Sequence, residues 1–351
     1  MASQPQLEKL VPLNRAEGYT PQVFHNRYLW LGRWKTGEDG IDHHFLEIRD
    51  HDGSHRLDSV EPKHSVQYLF PFDKERILFT GKHYTSKGWR SYYSLASFIK
   101  GKIRIETHQL PSQFQVEEFA GDPKRLIFNL VSDRTLVAVS ADGIRQLPLM
   151  ISGPGMMAQF GDSLFVLERR SRVPGDEDVV RVDLKTLKVQ RVFSSNRNGL
   201  LSLVALNDGK TLATSESLAH QVLLIDSQTN LLKSTISLPN SNPNSLAPLG
   251  HCLVVGSYAP AVLTLIDLES PEPQVIDRFS LENHKEDLPK VAKISVNPST
   301  GALFLRSIGF LQEDPKTTNS VYRYLNPAWV EKCKYLPPLS GPDGCKGGKN
   351  S

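Results

Sequence analysis

Rings and cations recur together in this 351-residue chain where apolar runs give way to polar connections. Trp34, Tyr84, Trp89 and Tyr258 offer aromatic faces, while His83, Arg90, Arg169, Arg170, Arg172 and Arg197 offer protonatable or charged groups. Aromatic residues and arginine dominate protein-binding hot spots, and a guanidinium grips carboxylate or phosphate through two parallel bonds. The chemistry implied is recognition of a protein, or of an anionic or glycan-like ligand, and not bond-making. Any one of these residues could equally pack under its own loop or stand solvated; only the set, gathered on one face, makes a binding surface. Motifs for bond-making are missing: there is no Gly-x-Ser-x-Gly elbow, no phosphate loop and no Cys-x-x-Cys.

Histidines and cysteines raise two further possibilities. Eight of the 11 histidines fall in the first 108 residues, densest in Asp42-His43-His44 and Asp50-His51-Asp52-Gly53-Ser54-His55. Zinc needs three or four ligands converging at about 2.0–2.3 Å. His43 and His44 would point to opposite faces of a strand, and His51 lies across a turn, so a solvated hairpin is expected instead. Of the three cysteines, Cys252 falls in an apolar strand, whereas Cys333 and Cys345 lie in a Pro/Gly-rich tail. The tail pair reads either as a disulfide between Cys333 and Cys345, which would mark an oxidising compartment, or as two free thiols.

The elements that must position these groups repeat. Val179 to Asp183, Val222 to Asp226 and Leu263 to Asp267 are copies of one strand, and Arg49, Ala96, Ser140 and Leu325 hold the equivalent place elsewhere. The intervals are 47, 44, 43, 43, 41 and 58 residues. A period of this size in an all-strand pattern is that of a β-propeller. Each unit reads as an inner strand, a tight turn rich in Asp, Asn, Gly or Pro, and a strongly apolar second strand such as Leu164-Phe165-Val166-Leu167. Third and outer strands are expected to alternate, one face packed and one wet. The expectation is an all-β, seven-bladed propeller of four antiparallel strands per blade. The blades would span roughly 18–62, 63–112, 113–151, 152–196, 197–240, 241–284 and 285–338, with residues 5–14 closing the ring beside Val321-Tyr322-Arg323-Tyr324. A rival closure uses Trp329 to Cys333. One domain then covers 1–338, followed by a flexible tail, 339–351.

A net charge of +3 and a pI near 8.6 argue against a dedicated nucleic-acid binder. No run of 18 apolar residues spans a membrane, and Met1 to Pro5 carries no secretory leader. A mature form without its leader, periplasmic or secreted and monomeric, is expected; a cytoplasmic protein is the alternative. Functional loops should be those joining second to third strands and those linking successive blades, on one face around the central channel, and they are uneven here. Trp34–Asp39, Lys82–Arg90, Arg169–Asp176 and Ile308–Asn319 are long, and the one near Ser132-Asp133 is short.

Asn198-Gly199-Leu200 followed by Asn207-Asp208-Gly209-Lys210-Thr211-Leu212 resembles the repeat of YVTN-type, surface-layer-protein-like propellers. Pro243-Asn244-Ser245-Leu246 is a weaker copy, Arg197 stands where Pro is usual, and the good match covers roughly 150–275. That resemblance implies the fold and a binding or scaffolding habit, with no cofactor. A weaker likeness to gluconolactonase and senescence-marker propellers implies a metal-dependent lactonase. In that reading Glu17, Asn198 and Asn244 would hold one Ca²⁺ or Mg²⁺ in the central channel, although Asn244 stands where that family has a carboxylate.

Overall fold

Short apolar runs bounded by turn-formers fold as four-stranded antiparallel meanders. The computed structural model describes residues 5–11, 17–38, 40–86, 88–110, 116–122, 125–130, 135–140, 143–147, 151, 154–169, 177–195, 199–281, 291–297, 299–307 and 321–333. These residues form seven four-stranded sheets. Six are built from consecutive strands, spanning 17–60, 68–109, 116–146, 154–194, 200–237 and 243–280. Each inner strand touches that of the next sheet, and Val291–Val296 meets both Pro243–Leu249 and Glu17–His25, so the circle closes. The sheets are therefore the blades of a β-propeller.

The last blade is composite. Val291–Val296, Leu303–Ser307 and Val321–Leu325 supply three strands, and Gln6–Val11 pairs antiparallel with the third as the fourth. Leu7 faces Tyr324 and Glu8 faces Arg323, whose Nη2 lies 2.6 Å from Glu8 Oε2. The rival candidate for that place, Trp329 to Cys333, is no strand. Pro327–Lys332 is a short helix with Asn326 Oδ1 accepting from Ala328 N at 3.1 Å. Trp329 is buried, and its Nε1 donates to Asp277 Oδ2 at 2.6 Å.

Core side chains lie between neighbouring blades. Phe24, Leu29 and Leu31 of the first blade pack on Phe304 and Val321 of the last. Second strands are closed on both faces: every residue of Thr211–Glu216 and Cys252–Ser257 is buried. The third strands of the fifth and sixth blades differ from the alternation expected. Val222 to Ile225 and Leu263 to Ile266 are buried at four successive positions, and the wet strand is the fourth, such as Leu232–Ser237. The third strand still lies between flanking blades; only the outermost emerges at the rim.

The repeated Asp at the end of the third strand shapes the next turn. Asp226 Oδ1 accepts from Gln228 N at 2.9 Å and Thr229 N at 2.8 Å, and Asp183 does the same for Lys185 and Thr186. Those bonds hold both carboxyls below their usual pKa.

One expectation is corrected. Cys333 bonds to Cys252, with Cα atoms 5.4 Å apart, and not to Cys345, which lies outside the described residues. The short helix carries Cys333 back to the sixth blade, where His251 N donates to its carbonyl at 3.3 Å. Helix geometry beyond the last strand, invisible to spacing in the tail, decides the partner.

Candidate functional site

Because strands alternate in direction, every second-to-third hairpin rises on the same face of the ring. Among the described residues, two of them project. Arg76–Thr85 and Gly88–Ile99 stay paired to the tip, with His83 facing Arg90, Tyr84 facing Trp89 and Thr85 facing Gly88. The segment expected as a loop, Lys82 to Arg90, is thus mostly strand, consistent with its β-branched and aromatic residues. In the first blade Trp34 faces His44, and pairing likewise runs to Thr36 and Asp42.

Tyr84 and Trp89 meet edge to face, 5.3 Å between centroids at 68°, yet remain 65% and 59% exposed. They stand beside an open groove of about 1150 Å³ between the first two blades, whose walls include His43, His44, Glu61, Lys63 and His83. His43 Nδ1 lies 2.9 Å from Glu61 Oε1. Burial lowers the His44 pKa.

The connection from first to second blade forms one wall. Ser65 N donates to Lys82 O at 2.9 Å, and Lys82 N to Ser65 Oγ at 2.9 Å. Such close approach needs the glycine at 81, since a Cβ there would sit 1.6 Å from Ser65 O. His64 is buried beside it, stacked on Tyr92 (5.3 Å, 7°) and Phe79 (5.0 Å, 30°). Its Nδ1 lies 2.8 Å from Ser65 O and its Nε2 2.7 Å from Ser94 Oγ. The carbonyl can only accept, so Nδ1 carries the proton. Burial pushes the His64 pKa down to about 4.

Of the candidates read from sequence, His83, Tyr84 and Trp89 come together at this groove, with Arg90 paired to His83. Trp34 is half-buried on the neighbouring hairpin. Arg169 is exposed on the fourth blade, its Nε 4.0 Å from Glu177, and Tyr258 follows the second strand of the sixth. Those two share the face but not the groove. Arg170, Arg172, Arg197 and Asn198 lie outside the described residues. Glu17 begins the first inner strand, with its side chain outside the description, and Asn244 Nδ2 donates to Val291 O at 3.2 Å. Sequence reasoning missed Glu61, Lys63 and His64. They sit in an inter-blade connection, a kind of loop expected to carry function, and the excess of histidine in this half of the chain was the further signal that could have singled it out.

Among the described residues no helix is long and apolar enough to cross a membrane. No family model matches the chain, and none of the curated proteins does. Solved structures do. Virginiamycin B lyase from Staphylococcus aureus superposes with a TM-score of 0.61 at 13% identity, over 92% of this chain and 99% of that one. The β-propeller domain of Cps50 (Swd1) from Myceliophteria thermophila gives 0.62 at 12%, over 91% and 99%. The WD40 propeller domain of Doa1 gives 0.57 at 10%, over 91% and 96%. At these identities the likeness establishes the β-propeller fold, shared by an enzyme and by WD40 domains alike.

Proposed function

We propose that this propeller is a non-catalytic recognition module, using the groove over its first two blades to capture a protein or a glycan-like or anionic ligand. The observation that carries the reading is the Tyr84–Trp89 pair, two large rings held out to solvent at a hairpin tip. Rings on a paired hairpin lose little freedom on binding, and aromatic side chains are what hot spots are made of. Histidines, Lys63 and Glu61 beside them supply polar contacts that would orient a partner. The likeness to the WD40 propeller domain of Doa1 is compatible with such a role.

Membership of the YVTN-type group is part of the proposal. It rests on the Asn207–Lys210 turn, where Asp208 Oδ1 accepts from Lys210 N at 3.0 Å and Thr211 N at 2.8 Å. The Cys252–Cys333 bond supports a periplasmic or secreted protein, since disulfides persist in oxidising compartments. The test is a glycan array and capture from native extract, run with the wild type and a Tyr84→Ala/Trp89→Ala variant. Both rings are exposed, so the variant should keep its melting temperature and lose every ligand the wild type retains. Undiminished binding by the variant would overturn the assignment.

A further inference from the structure

The last blade sets two cations side by side. Lys293 on Val291–Val296 is the register partner of Arg306 on Leu303–Ser307. Cross-strand partners project from the same face of a sheet, and like charges so placed repel. Phe304, two residues before Arg306, packs on Phe24, Leu29 and Leu31, so this face is turned towards the first blade. Lys293 reaches further: its Nζ lies 5.7 Å from the ring centroid of Phe70, on the inner strand of the second blade. A lysine of the last blade that touches the second must pass in front of the first blade's inner strand, which puts the pair at the hub.

Arg306 is the member under strain. Its Nε is sealed from solvent and meets no acceptor. Burial lowers its pKa, and the neighbour acting on it is Tyr68, whose ring stacks 6.4 Å from that of Phe70. Among the described residues no carboxylate pairs with it. Arg306 as a whole is half-buried, and its guanidinium keeps its charge at any working pH, so a sealed Nε donor with no acceptor leaves part of that cation unsatisfied.

We propose that Arg306 and Lys293 form an oxyanion site at the hub of the propeller, taking a carboxylate or phosphate group of a small ligand. The guanidinium offers parallel N–H donors, the ammonium adds a point charge, and the Phe70 and Tyr68 rings border the remainder of the ligand. This site lies on the inner and second strands of the last blade and the inner strand of the second, apart from the hairpin tips that carry the rings of the groove.

Thermal unfolding of the full chain, titrated with sodium phosphate or sodium benzoate at constant ionic strength, tests it. At least one anion should raise the melting temperature to a plateau. Arg306→Met should weaken that effect at least tenfold, and in chloride buffer alone it should melt no lower than the wild type. Lys293→Met should weaken the effect less. A response to phosphate alone assigns the site to phosphoryl groups, and one to benzoate alone to carboxylates. The site is overturned if neither anion gives a plateau, if Arg306→Met responds as the wild type does, or if that variant melts several degrees lower in chloride.

Discussion

A neutral imidazole is locked at His64, and its consequence is acid sensitivity. Its ordinary pKa of 6.5 falls to about 4 in the fold because the buried ring cannot be hydrated as a cation. A depressed folded pKa means the unfolded chain binds the proton more readily. The stabilisation is therefore whole above pH 6.5 and is lost as pH falls through about 4. At 1.36 kcal/mol per pKa unit the loss is ~3 kcal/mol. Urea unfolding at pH 7 and pH 4 should show the wild type losing that much more stability than His64→Gln; parallel profiles would refute it. The neighbouring glycine gives a second residue-scale prediction. Gly81→Ala would drive a methyl onto the backbone carbonyl of Ser65 and should destabilise by about 3 kcal/mol or more. A melting temperature within a degree of wild type would show that the connection walling the groove shifts freely. Neither effect was readable in the sequence. Gly81 reads there as one small residue in a strand, and His64 as one histidine among many, because the contacts that define both are made between the inter-blade connection and the second blade's strands.

At the scale of elements, legibility followed periodicity. The marker positions Asp183, Asp226 and Asp267 do end third strands, and the turn-formers fall where inner strands reverse. These features are set locally, by side chains bonding their own backbone. What depended on neighbouring sheets was misjudged. The third strands of the fifth and sixth blades are buried on both sides because blades pack on both sides of them, and hairpin length at Lys82 to Arg90 is set by pairing that no single strand specifies. The cystine belongs to the same class, since the terminal helix and a second strand 81 residues earlier must first be brought together. Closing a loop of that length removes unfolded-state entropy worth about 4 kcal/mol. Reductant should accordingly lower the melting temperature of the wild type and leave that of Cys333→Ala unchanged. Peptide mapping without reduction should recover Cys252 joined to Cys333; a Cys333–Cys345 peptide would refute the pairing.

For the whole molecule, the ring is the unit of stability, and its seam is the place to probe it. Each blade buries its two faces on two neighbours, so opening the circle anywhere uncovers two faces at once. The seam lies in the last blade, where Gln6–Val11 is held by the ladder to Val321–Leu325 and by the Glu8–Arg323 ion pair. Removing residues 1–11 would leave Val321–Leu325 as a bare strand edge, a template for pairing with another chain. The truncated protein should melt at lower temperature and associate as its concentration rises. A synthetic peptide of residues 5–13 should reverse both effects by adding the missing strand, whereas a scrambled peptide should not. The cystine between the sixth and last blades would hold the opened ring together in part, so the loss should deepen when reductant is added. Truncated protein that stays monomeric and melts with the wild type would mean the blades need no clasp, and the circular packing described here would not be what holds the fold.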